Sequence, residues 1–297
     1  MKVGFIGLGT MGLPMARNLL KGGFNLNVVR RANCEALGES VRIVETPAEV
    51  AFGVDVVITM LPTTEHVLSV ALGPNGVSEG ISPSAIFIDM STIAPSGTQK
   101  IHEHFTALGV ETMDAPVAGG KAGAEAATLT CFIGATDATL NKVRPLLKLM
   151  VSTLLHIGGN GAGTKAKLVH NICNATLVSA FSEAIVFGTK LGINPKILVD
   201  VLSLGSCANV LKNNVYNIGL KRKFNERTFP AEYMIKDILL AKESATELNI
   251  PLFFPSLSLE FLTMLKAKGL GRNTYAEVIT IFEEFAGIQA GIDEKSN

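Results

Sequence analysis

The sequence lacks a net charge, and it contains few charged residues of either sign. Its 297 residues include 26 Lys and Arg against 26 Asp and Glu, and charged residues make up only 18% of the chain. Without a basic excess the chain has no electrostatic footprint for phosphates, so we expect no nucleic-acid partner. Hydrophobic residues reach 47%, which excludes the low-hydrophobicity, high-charge composition of disordered chains.

Cysteine pairs and metal-ligand spacings are also missing. The chain has four scattered cysteines and no CxxC motif, as is typical of a protein from a reducing compartment. His102 and His104 are two apart on a predicted helix, so they point in different directions and make a poor metal pair. The N-terminal MKVGFIGLG is typical of a strand that enters a loop, not of a secretory signal. We therefore expect no metal site and a cytoplasmic location.

Long apolar runs without polar interruption are absent as well. The longest apolar-leaning stretch spans residues 168–191. The residues that interrupt it are His170, Asn171, Asn174, Glu183 and Lys190. A membrane-spanning helix needs about 20 residues with few or no charges. We therefore expect a buried helix and no membrane association.

Short apolar runs alternate with amphipathic stretches in the first half of the chain. The strand candidates are 2–6, 26–29, 54–60, 85–90 and 110–114, with 129–133 and 154–157 as extensions of the same sheet. This alternation predicts an α/β fold with a doubly wound parallel sheet.

After residue 157 the glycine-rich sequence GGNGAGT is followed by an almost entirely helical pattern. The helix candidates are 165–191, 195–204, 231–248, 255–268 and 274–286. Since the length favours two domains, we predict a sheet domain over 1–160. An all-helical C-terminal domain over 161–297 would carry substrate and oligomer contacts.

A GxGxxG pattern, GLGTMG, joins the first strand candidate to the amphipathic stretch 11–21, which is the first helix candidate of the chain. Gly7 permits the tight turn, Gly9 lets a pyrophosphate approach the backbone, and Gly12 allows close helix packing. The helix N-terminus adds N–H groups and a partial positive charge. The alternative is a tight turn without a ligand. The context favours a Rossmann-type domain for a nicotinamide dinucleotide, with Leu8 and Met11 also at the cofactor.

Cofactor choice is predicted from the end of the second strand. A site that prefers NAD places Asp or Glu there to bind the ribose 2′-hydroxyl. Here the strand ends in Arg30 and Arg31, and the next carboxylate is Glu35. Guanidinium groups can hold a 2′-phosphate through charge-assisted contacts, unless both arginines are simply solvated. We expect NADP to be preferred, with NAD possible.

Six motifs in order carry a resemblance to a known family. They are FIGLGTMGLPMARNLL, ITMLP, IDMSTIAP, DAPVAGGKAGA, GAGTKAKLVHN and IKDILLA. Together they resemble the β-hydroxyacid dehydrogenases, a family that includes 3-hydroxyisobutyrate dehydrogenase. The resemblance implies hydride transfer between a nicotinamide cofactor and a short β-hydroxy acid or its semialdehyde, and the arginines predict that this cofactor is NADP(H). It also implies a homodimer or homotetramer formed through the helical domain.

Lys167 and Asn171 are four apart on the predicted long helix, so they share one face. An ammonium group can protonate the alkoxide that hydride transfer leaves. The resemblance implies that Lys167 is the acid/base and that Asn171 positions it or binds substrate. Lys165 is a rival without the spacing to Asn171, and the alternative for Lys167 is a solvated helix face.

The DAPVAGG motif resembles the family's substrate loop. Successive N–H groups of Gly119 and Gly120 suit a carboxylate. The chain departs from the family at Ala118, where Ser is common, and at Ala127, where Gly is frequent. Both departures bear on substrate identity more than on reaction class.

Five further residues take their roles from the resemblance alone. Thr92 would lie near the nicotinamide and the substrate, and Leu61 and Pro62 would lie against the cofactor. Lys236 resembles the residue that reaches the cofactor, and Phe229 would line the substrate pocket. The alternative for Thr92 is a strand-end cap, and for Leu61 and Pro62 it is core packing. Lys236 would otherwise be a surface lysine and Phe229 a core aromatic residue.

Other functions remain open at this point. KLVHN is similar to a pattern of 6-phosphogluconate dehydrogenase, but Asn174 stands where that enzyme has glutamate, which leaves His170 a minor contact or a helix residue. Tartronate semialdehyde reductase and glyoxylate/succinic semialdehyde reductase are alternatives, as is an imine reductase, although that class generally lacks the lysine. A different class is a cofactor-binding module without turnover.

Overall fold

The sheet forms because its central strands are apolar on both faces. In a computed structural model, which describes residues 1–30, 33–38, 41–204, 211–226, 229–249 and 251–291, strands Val56–Thr59 and Ile86–Asp89 are buried throughout. Ile58 packs into one core cluster, whereas its neighbour Val57 packs into another. Because successive strand residues point to opposite faces, the sheet is covered on both sides.

Nine strands occur within the described ranges. They are β1 Lys2–Ile6, β2 Asn25–Val29, β3 Val41–Val44, β4 Val56–Thr59, β5 Ile86–Asp89, β6 Glu111–Asp114, β7 Val117–Ala118, β8 Leu129–Gly134 and β9 Val151–Gly158. The first six are parallel in the order β3-β2-β1-β4-β5-β6, which is the Rossmann order. The doubly wound prediction is confirmed, except that β8 runs antiparallel to β6 and β7.

Helices cover the two faces of this sheet. They are α1 Gly12–Lys21, α2 Pro47–Ala51, α3 Thr64–Leu72, α4 Val77–Gly80, α5 Pro95–Ala107, α6 Gly120–Ala126 and α7 Asp137–Leu147. Met15 and Leu140 place α1 and α7 in one core cluster, and Val67 and Phe105 place α3 and α5 in the other. The result is a three-layer α/β/α arrangement.

The second half of the chain is helical, as predicted. Its helices are α8 Ala162–Lys190, α9 Pro195–Ser203, α10 Ala231–Glu247, α11 Phe253–Leu265 and α12 Ile279–Ala286. Short 3₁₀ or π segments of this half are Leu211–Leu220, Phe224–Glu226, Lys266–Leu270 and Tyr275–Val278, and one 3₁₀ segment of the first half is Cys34–Leu37. A core cluster that includes Val178, Ile185, Ile238 and Leu262 holds these helices together.

The chain divides into two compact units, Met1–Leu168 and Val169–Asn297. The division falls inside α8, so one continuous helix belongs to both units. The expected domain boundary at residue 160 stays a prediction.

Helix α8 is long and apolar enough to cross a membrane by length and composition alone. In its most apolar window 47% of the residues are buried within the protein. The core helix of a globular protein passes the same test, so this property is weak evidence for a membrane span.

Candidate functional site

The glycine loop fits the pyrophosphate of a dinucleotide. Gly7 has a φ of +108°, and a Cβ there would lie 2.2 Å from the carbonyl oxygen of Met60. A Cβ on Gly12 would lie 1.8 Å from the carbonyl oxygen of Gly7. By contrast, a Cβ on Gly9 would meet nothing within 4 Å. Backbone atoms therefore pack closely against Gly7 and Gly12, whereas the space beside Gly9 is open. This open side lies at the N-terminus of α1, where an anion is stabilised.

A buried network fixes the carboxyl ends of β4 and β5 beside that loop. The Thr59 hydroxyl donates to Asp89 Oδ1 at 2.8 Å, and the Ser91 backbone N–H donates to the same oxygen at 3.1 Å. The Leu61 backbone N–H donates to Ser91 Oγ at 2.9 Å. Burial raises the pKa of Asp89, although the hydrogen bonds oppose the shift. These contacts hold the segments that carry Leu61, Pro62 and Thr92.

Arg30 lies at the same edge of the sheet, and it is paired with a carboxylate that no local sequence pattern indicated. Arg30 Nε donates to Glu45 Oε1 at 2.6 Å. The hydrogen bond and the charge of Glu45 raise the pKa of the Arg30 guanidinium. Glu45 follows β3, a strand that was not predicted, so nothing in the sequence linked the two residues. Arg31 lies outside the described residues.

A second contact ties the glycine loop to the segment after β2. Asn33 Nδ2 donates to the carbonyl oxygen of Leu8 at 2.9 Å. Asn33 has a φ of +71°, a left-handed conformation that Asn tolerates better than most residues. Met11 directly precedes α1 as its N-cap residue. The predicted cofactor contacts Leu8 and Met11 are thus both part of this loop.

The predicted substrate loop combines a short strand with two glycines of positive φ. Ala118 pairs with Thr130 of β8, and Gly119 and Gly120 follow with φ values of +129° and +61°. A Cβ on Gly119 would lie 3.0 Å from Leu129 Cδ2. The backbone conformation therefore favours glycine at both positions, and at Gly119 a side chain would also crowd Leu129.

Asp114 has a role that its sequence motif alone did not reveal. Its Oδ1 accepts from the Gly161 backbone N–H and its Oδ2 from the Thr164 backbone N–H, each at 2.6 Å. Burial raises the pKa of Asp114, opposed by these hydrogen bonds. A Cβ on Gly134 would lie 2.3 Å from Asp114 Oδ1. The carboxylate therefore holds the N-terminus of α8 in a site that has no spare room.

Helix α8 carries Lys167 and Asn171 one turn apart, and both are buried, with exposed fractions of 5% and 2%. Lys165, the rival, is exposed. A buried lysine on a helix is uncommon. Burial therefore favours Lys167 over Lys165, and the four-residue spacing to Asn171 favours the same residue.

Asn171 is oriented by a buried carboxylate on α10. Asn171 Nδ2 donates to Asp237 Oδ2 at 2.6 Å, and Lys236 Nζ lies 3.0 Å from Asp237 Oδ1. Asp237 is only 1% exposed. Asp237 lies in the IKDILLA motif directly after Lys236. The motif locates this carboxylate in the sequence, but it does not predict the contact with Asn171.

Phe229 lies in an aromatic cluster of the helical unit. Its ring makes edge contacts with Tyr233 and Tyr275 at centroid distances of 6.3 and 5.9 Å. Asn174 Nδ2 donates to the Tyr275 hydroxyl at 2.9 Å. Asn174 is thereby engaged with a core tyrosine, where 6-phosphogluconate dehydrogenase has a glutamate.

The structure brings together two sets of the predicted residues, one in each unit. The glycine loop, Arg30, Leu61, Pro62 and Thr92 share the carboxyl edge of the sheet in the first unit. Asn171 and Lys236 meet at Asp237 in the second unit. Among the described residues no group of three or more His, Cys, Asp or Glu could hold a metal ion.

Two sequence families match this chain in tandem. Residues 2–158 match the family described as the NAD binding domain of 6-phosphogluconate dehydrogenase. Residues 161–282 match the family described as NAD-binding of NADP-dependent 3-hydroxyisobutyrate dehydrogenase.

Curated relatives match over nearly the whole length. The 2-(hydroxymethyl)glutarate dehydrogenase of Eubacterium barkeri is 33% identical, with 97% of this chain and 96% of the relative covered. The NAD-dependent L-serine dehydrogenase of Pseudomonas aeruginosa is 34% identical, with 96% and 99% covered.

A solved structure of Mycobacterium tuberculosis 3-hydroxyisobutyrate dehydrogenase with L-serine is similar at a TM-score of 0.83. It is 29% identical, and the match covers 94% of this chain and 98% of that one. These relatives are dehydrogenases that act on hydroxyl groups, and the strand order and glycine loop fit a nicotinamide cofactor. The chain belongs to the β-hydroxyacid dehydrogenase family and is an oxidoreductase that uses a nicotinamide dinucleotide.

Proposed function

We propose that this enzyme interconverts a short β-hydroxy acid and its semialdehyde, with Lys167 as the acid/base. The observation that carries the proposal is the burial of Lys167 on the helix whose first turn Asp114 holds. Lysine side chains are seldom fully buried. An ammonium group held inside the protein on α8 can transfer a proton to a substrate oxygen.

In the proposed mechanism each group acts at a stated atom. The N–H groups of Gly119 and Gly120 bind the substrate carboxylate, since backbone N–H groups of successive residues favour anions. Lys167 donates a proton to the carbonyl oxygen in reduction and accepts it from the hydroxyl in oxidation. Asn171, held by Asp237, orients the substrate oxygen or the lysine. When bound, the nicotinamide supplies or accepts the hydride.

The names of the relatives support a common substrate class. L-Serine, 3-hydroxyisobutyrate and 2-(hydroxymethyl)glutarate, in the names of those relatives, all carry a hydroxymethyl group on the carbon next to a carboxylate. We propose this unit as the substrate of the present chain. Tartronate semialdehyde, glyoxylate and succinic semialdehyde are the alternative substrates. Reduction of the first gives the same hydroxymethyl unit, whereas the products of the other two lack it.

We also propose that NADP(H) is preferred over NAD(H). The positive charge of Arg30 at the end of β2 supports this preference, and Arg31 beside it in the sequence would add to it. Thr92, Leu61 and Pro62 would line the cofactor, and Lys236 would also reach it.

Exchange of Lys167 tests the catalytic proposal. Lys167→Met should reduce kcat by about 10²–10⁴-fold, the usual contribution of general acid–base catalysis, while calorimetry shows unchanged cofactor affinity. Lys165→Met, an exposed lysine two residues earlier, is the matched control and should keep full activity. A Lys167→Met variant that keeps most of its turnover would contradict the assignment.

A kinetic panel tests the substrate and cofactor proposals together. L-Serine, 3-hydroxyisobutyrate, tartronate semialdehyde, glyoxylate and succinic semialdehyde would each be assayed with both cofactors. We expect the highest kcat/KM with a β-hydroxy acid or its semialdehyde and with NADP(H). Faster turnover with NAD(H) would contradict the preference, and no absorbance change with any substrate would indicate a binding module without turnover.

We propose a cytoplasmic homodimer or homotetramer, assembled through the helical unit. Large apolar side chains exposed on that unit support the assembly. They include Leu191, Ile197, Val201, Leu204, Phe253 and Phe254. Sedimentation equilibrium at micromolar concentration should give a multiple of the 31.4 kDa chain mass, whereas a monomer mass would contradict the proposal.

A further inference from the structure

We propose that Glu45 is a selectivity residue for the cofactor, which disfavours the 2′-phosphate of NADP and favours the ribose 2′-hydroxyl of NAD. The inference rests on the use of a nicotinamide dinucleotide at this edge of the sheet. It does not depend on which of the two cofactors the enzyme prefers. It predicts that Arg30 and Glu45 act in opposite directions on that preference.

Sheet register brings the two residues together. Val29 of β2 is paired with Val44 of β3, so Arg30 and Glu45 each follow directly at the carboxyl end of a parallel strand. The Arg30 backbone N–H donates to the Val44 carbonyl at 2.7 Å, which continues the ladder beyond the strands. Ligands of open α/β sheets bind at this edge, and the residue after the second strand faces the ribose.

Charge and exposure give the pair its effect. The side chains of Arg30 and Glu45 are 56% and 65% exposed, and Nε lies 2.6 Å from Oε1. A phosphate group that approaches the guanidinium therefore meets a carboxylate already bound to it. The like charges repel, whereas a ribose hydroxyl can donate a hydrogen bond to the same carboxylate.

Other acidic groups near Arg30 are placed less favourably for this role. Glu35 raises the pKa of Arg30 only through charge, and less than Glu45 does. Glu49 accepts from the backbone N–H groups of Glu45 and Thr46 as part of a capping box. Of these three acidic residues, Glu45 thus has the strongest influence on the Arg30 guanidinium. Substitution of the Glu45 side chain leaves the capping box of Thr46 and Glu49 in place.

Glu45→Gln tests the inference in the full-length enzyme. The ratio of kcat/KM for NADPH to kcat/KM for NADH should rise about three- to tenfold, the size expected when one exposed charge near a phosphate is removed. Calorimetry with adenosine 2′,5′-bisphosphate and 5′-AMP probes the adenosine end alone. The ratio of the Kd for adenosine 2′,5′-bisphosphate to the Kd for 5′-AMP should fall by a similar factor. The shift should shrink at high salt, because the Debye length falls from about 10 Å at 0.1 M to about 3 Å at 1 M.

Glu103→Gln is the matched control for net charge. Glu103 is exposed on α5 and accepts from Gln99 Nε2, so its exchange should leave both ratios unchanged. A ratio of kcat/KM for NADPH to kcat/KM for NADH that rises less than about twofold in Glu45→Gln, or that falls, would overturn the inference. A larger rise in Glu35→Gln than in Glu45→Gln would also overturn it.

Arg30→Gln separates this inference from the proposed NADP preference. If the parent enzyme prefers NADH, or if Arg30→Gln binds NADP⁺ as tightly as the parent, the proposed preference fails. The response of Glu45→Gln to the two adenosine probes still decides the role of Glu45.

Discussion

The backbone N–H of Thr164 donates a 2.6 Å hydrogen bond to Asp114 Oδ2, across 50 positions of the chain. Thr164 lies in the first turn of α8, three residues before Lys167. A carboxylate at a helix N-terminus satisfies N–H groups that lack a partner in the helix. The position of the lysine-bearing turn therefore depends on a side chain from the end of β6.

Asp114→Asn should destabilise the protein by about 1–3 kcal/mol, because an amide can accept through only one oxygen and leaves one buried N–H group unsatisfied. We also expect kcat to fall while cofactor affinity, set at the glycine loop, is retained. Urea denaturation and steady-state kinetics measure the two effects. Unchanged kcat together with unchanged stability would show that α8 does not depend on this contact.

Asp237→Ala should be more harmful than Asp237→Asn. Alanine leaves the buried amide of Asn171 without its acceptor, at a cost of about 1–3 kcal/mol. The asparagine oxygen can still accept from Asn171 Nδ2, so stability and part of kcat should be rescued. Denaturation and kcat of both variants check the prediction, and equal loss in the two would contradict it.

Asp89 predicts a specific dependence of stability on pH. Burial raises the pKa of Asp89 above its ordinary 3.8, so the folded state binds this proton more tightly than the unfolded chain. Ionisation therefore costs stability as pH rises from 3.8 through the raised value. The stability of the parent relative to Asp89→Asn should fall over that window and then level off.

Urea denaturation of both proteins from about pH 4 to about pH 7 measures this difference in stability. Over that range Asp89 of the unfolded chain becomes largely ionised, as an ordinary Asp does, whereas the folded state holds the proton more tightly. Asp114 is present in both proteins, so its own titration largely cancels. A difference that stays constant or grows with pH would show that burial does not raise the pKa of Asp89.

Ala127→Gly should stabilise the protein by up to about 1 kcal/mol. Ala127 has a φ of +57° and a ψ of +31°, a left-handed conformation that costs a non-glycine residue about 1–2 kcal/mol. Part of that gain is offset by about 0.4–1 kcal/mol of extra unfolded-state entropy. Thermal denaturation measures the change.

Ala122→Gly is the matched control for that exchange. Ala122 is exposed inside α6, where glycine should destabilise by about 0.5–1 kcal/mol. If Ala127→Gly and Ala122→Gly both lowered the denaturation temperature, the backbone conformation of Ala127 would carry no strain.

Local patterns were sufficient for much of the fold. Apolar runs located β1, β4 and β5, and the GxGxxG turn located the start of α1. Strand β3 was missed because its sequence VRIV contains an arginine and lies at the edge of the sheet. The antiparallel pairing of β8 was missed because direction depends on the path of the intervening chain, not on the strand itself.

The candidate site was predictable where one element carries the residues. Lys167 and Asn171 are four apart on one helix, so spacing alone placed them on one face. Asp237 and Glu45 contact residues on other elements, Asn171 and Arg30 respectively. No spacing rule connects such pairs, since register and packing decide which side chains meet.

The contrast between Gly7 and Glu45 has a consequence for how this enzyme can diverge. A side chain at Gly7 would meet backbone only 2.2 Å away, so that position tolerates no variation. Glu45 is exposed, and its carboxylate contacts another exposed side chain. With the role proposed for Glu45, a substitution at this exposed pair would change the cofactor preference and leave the glycine loop unaltered.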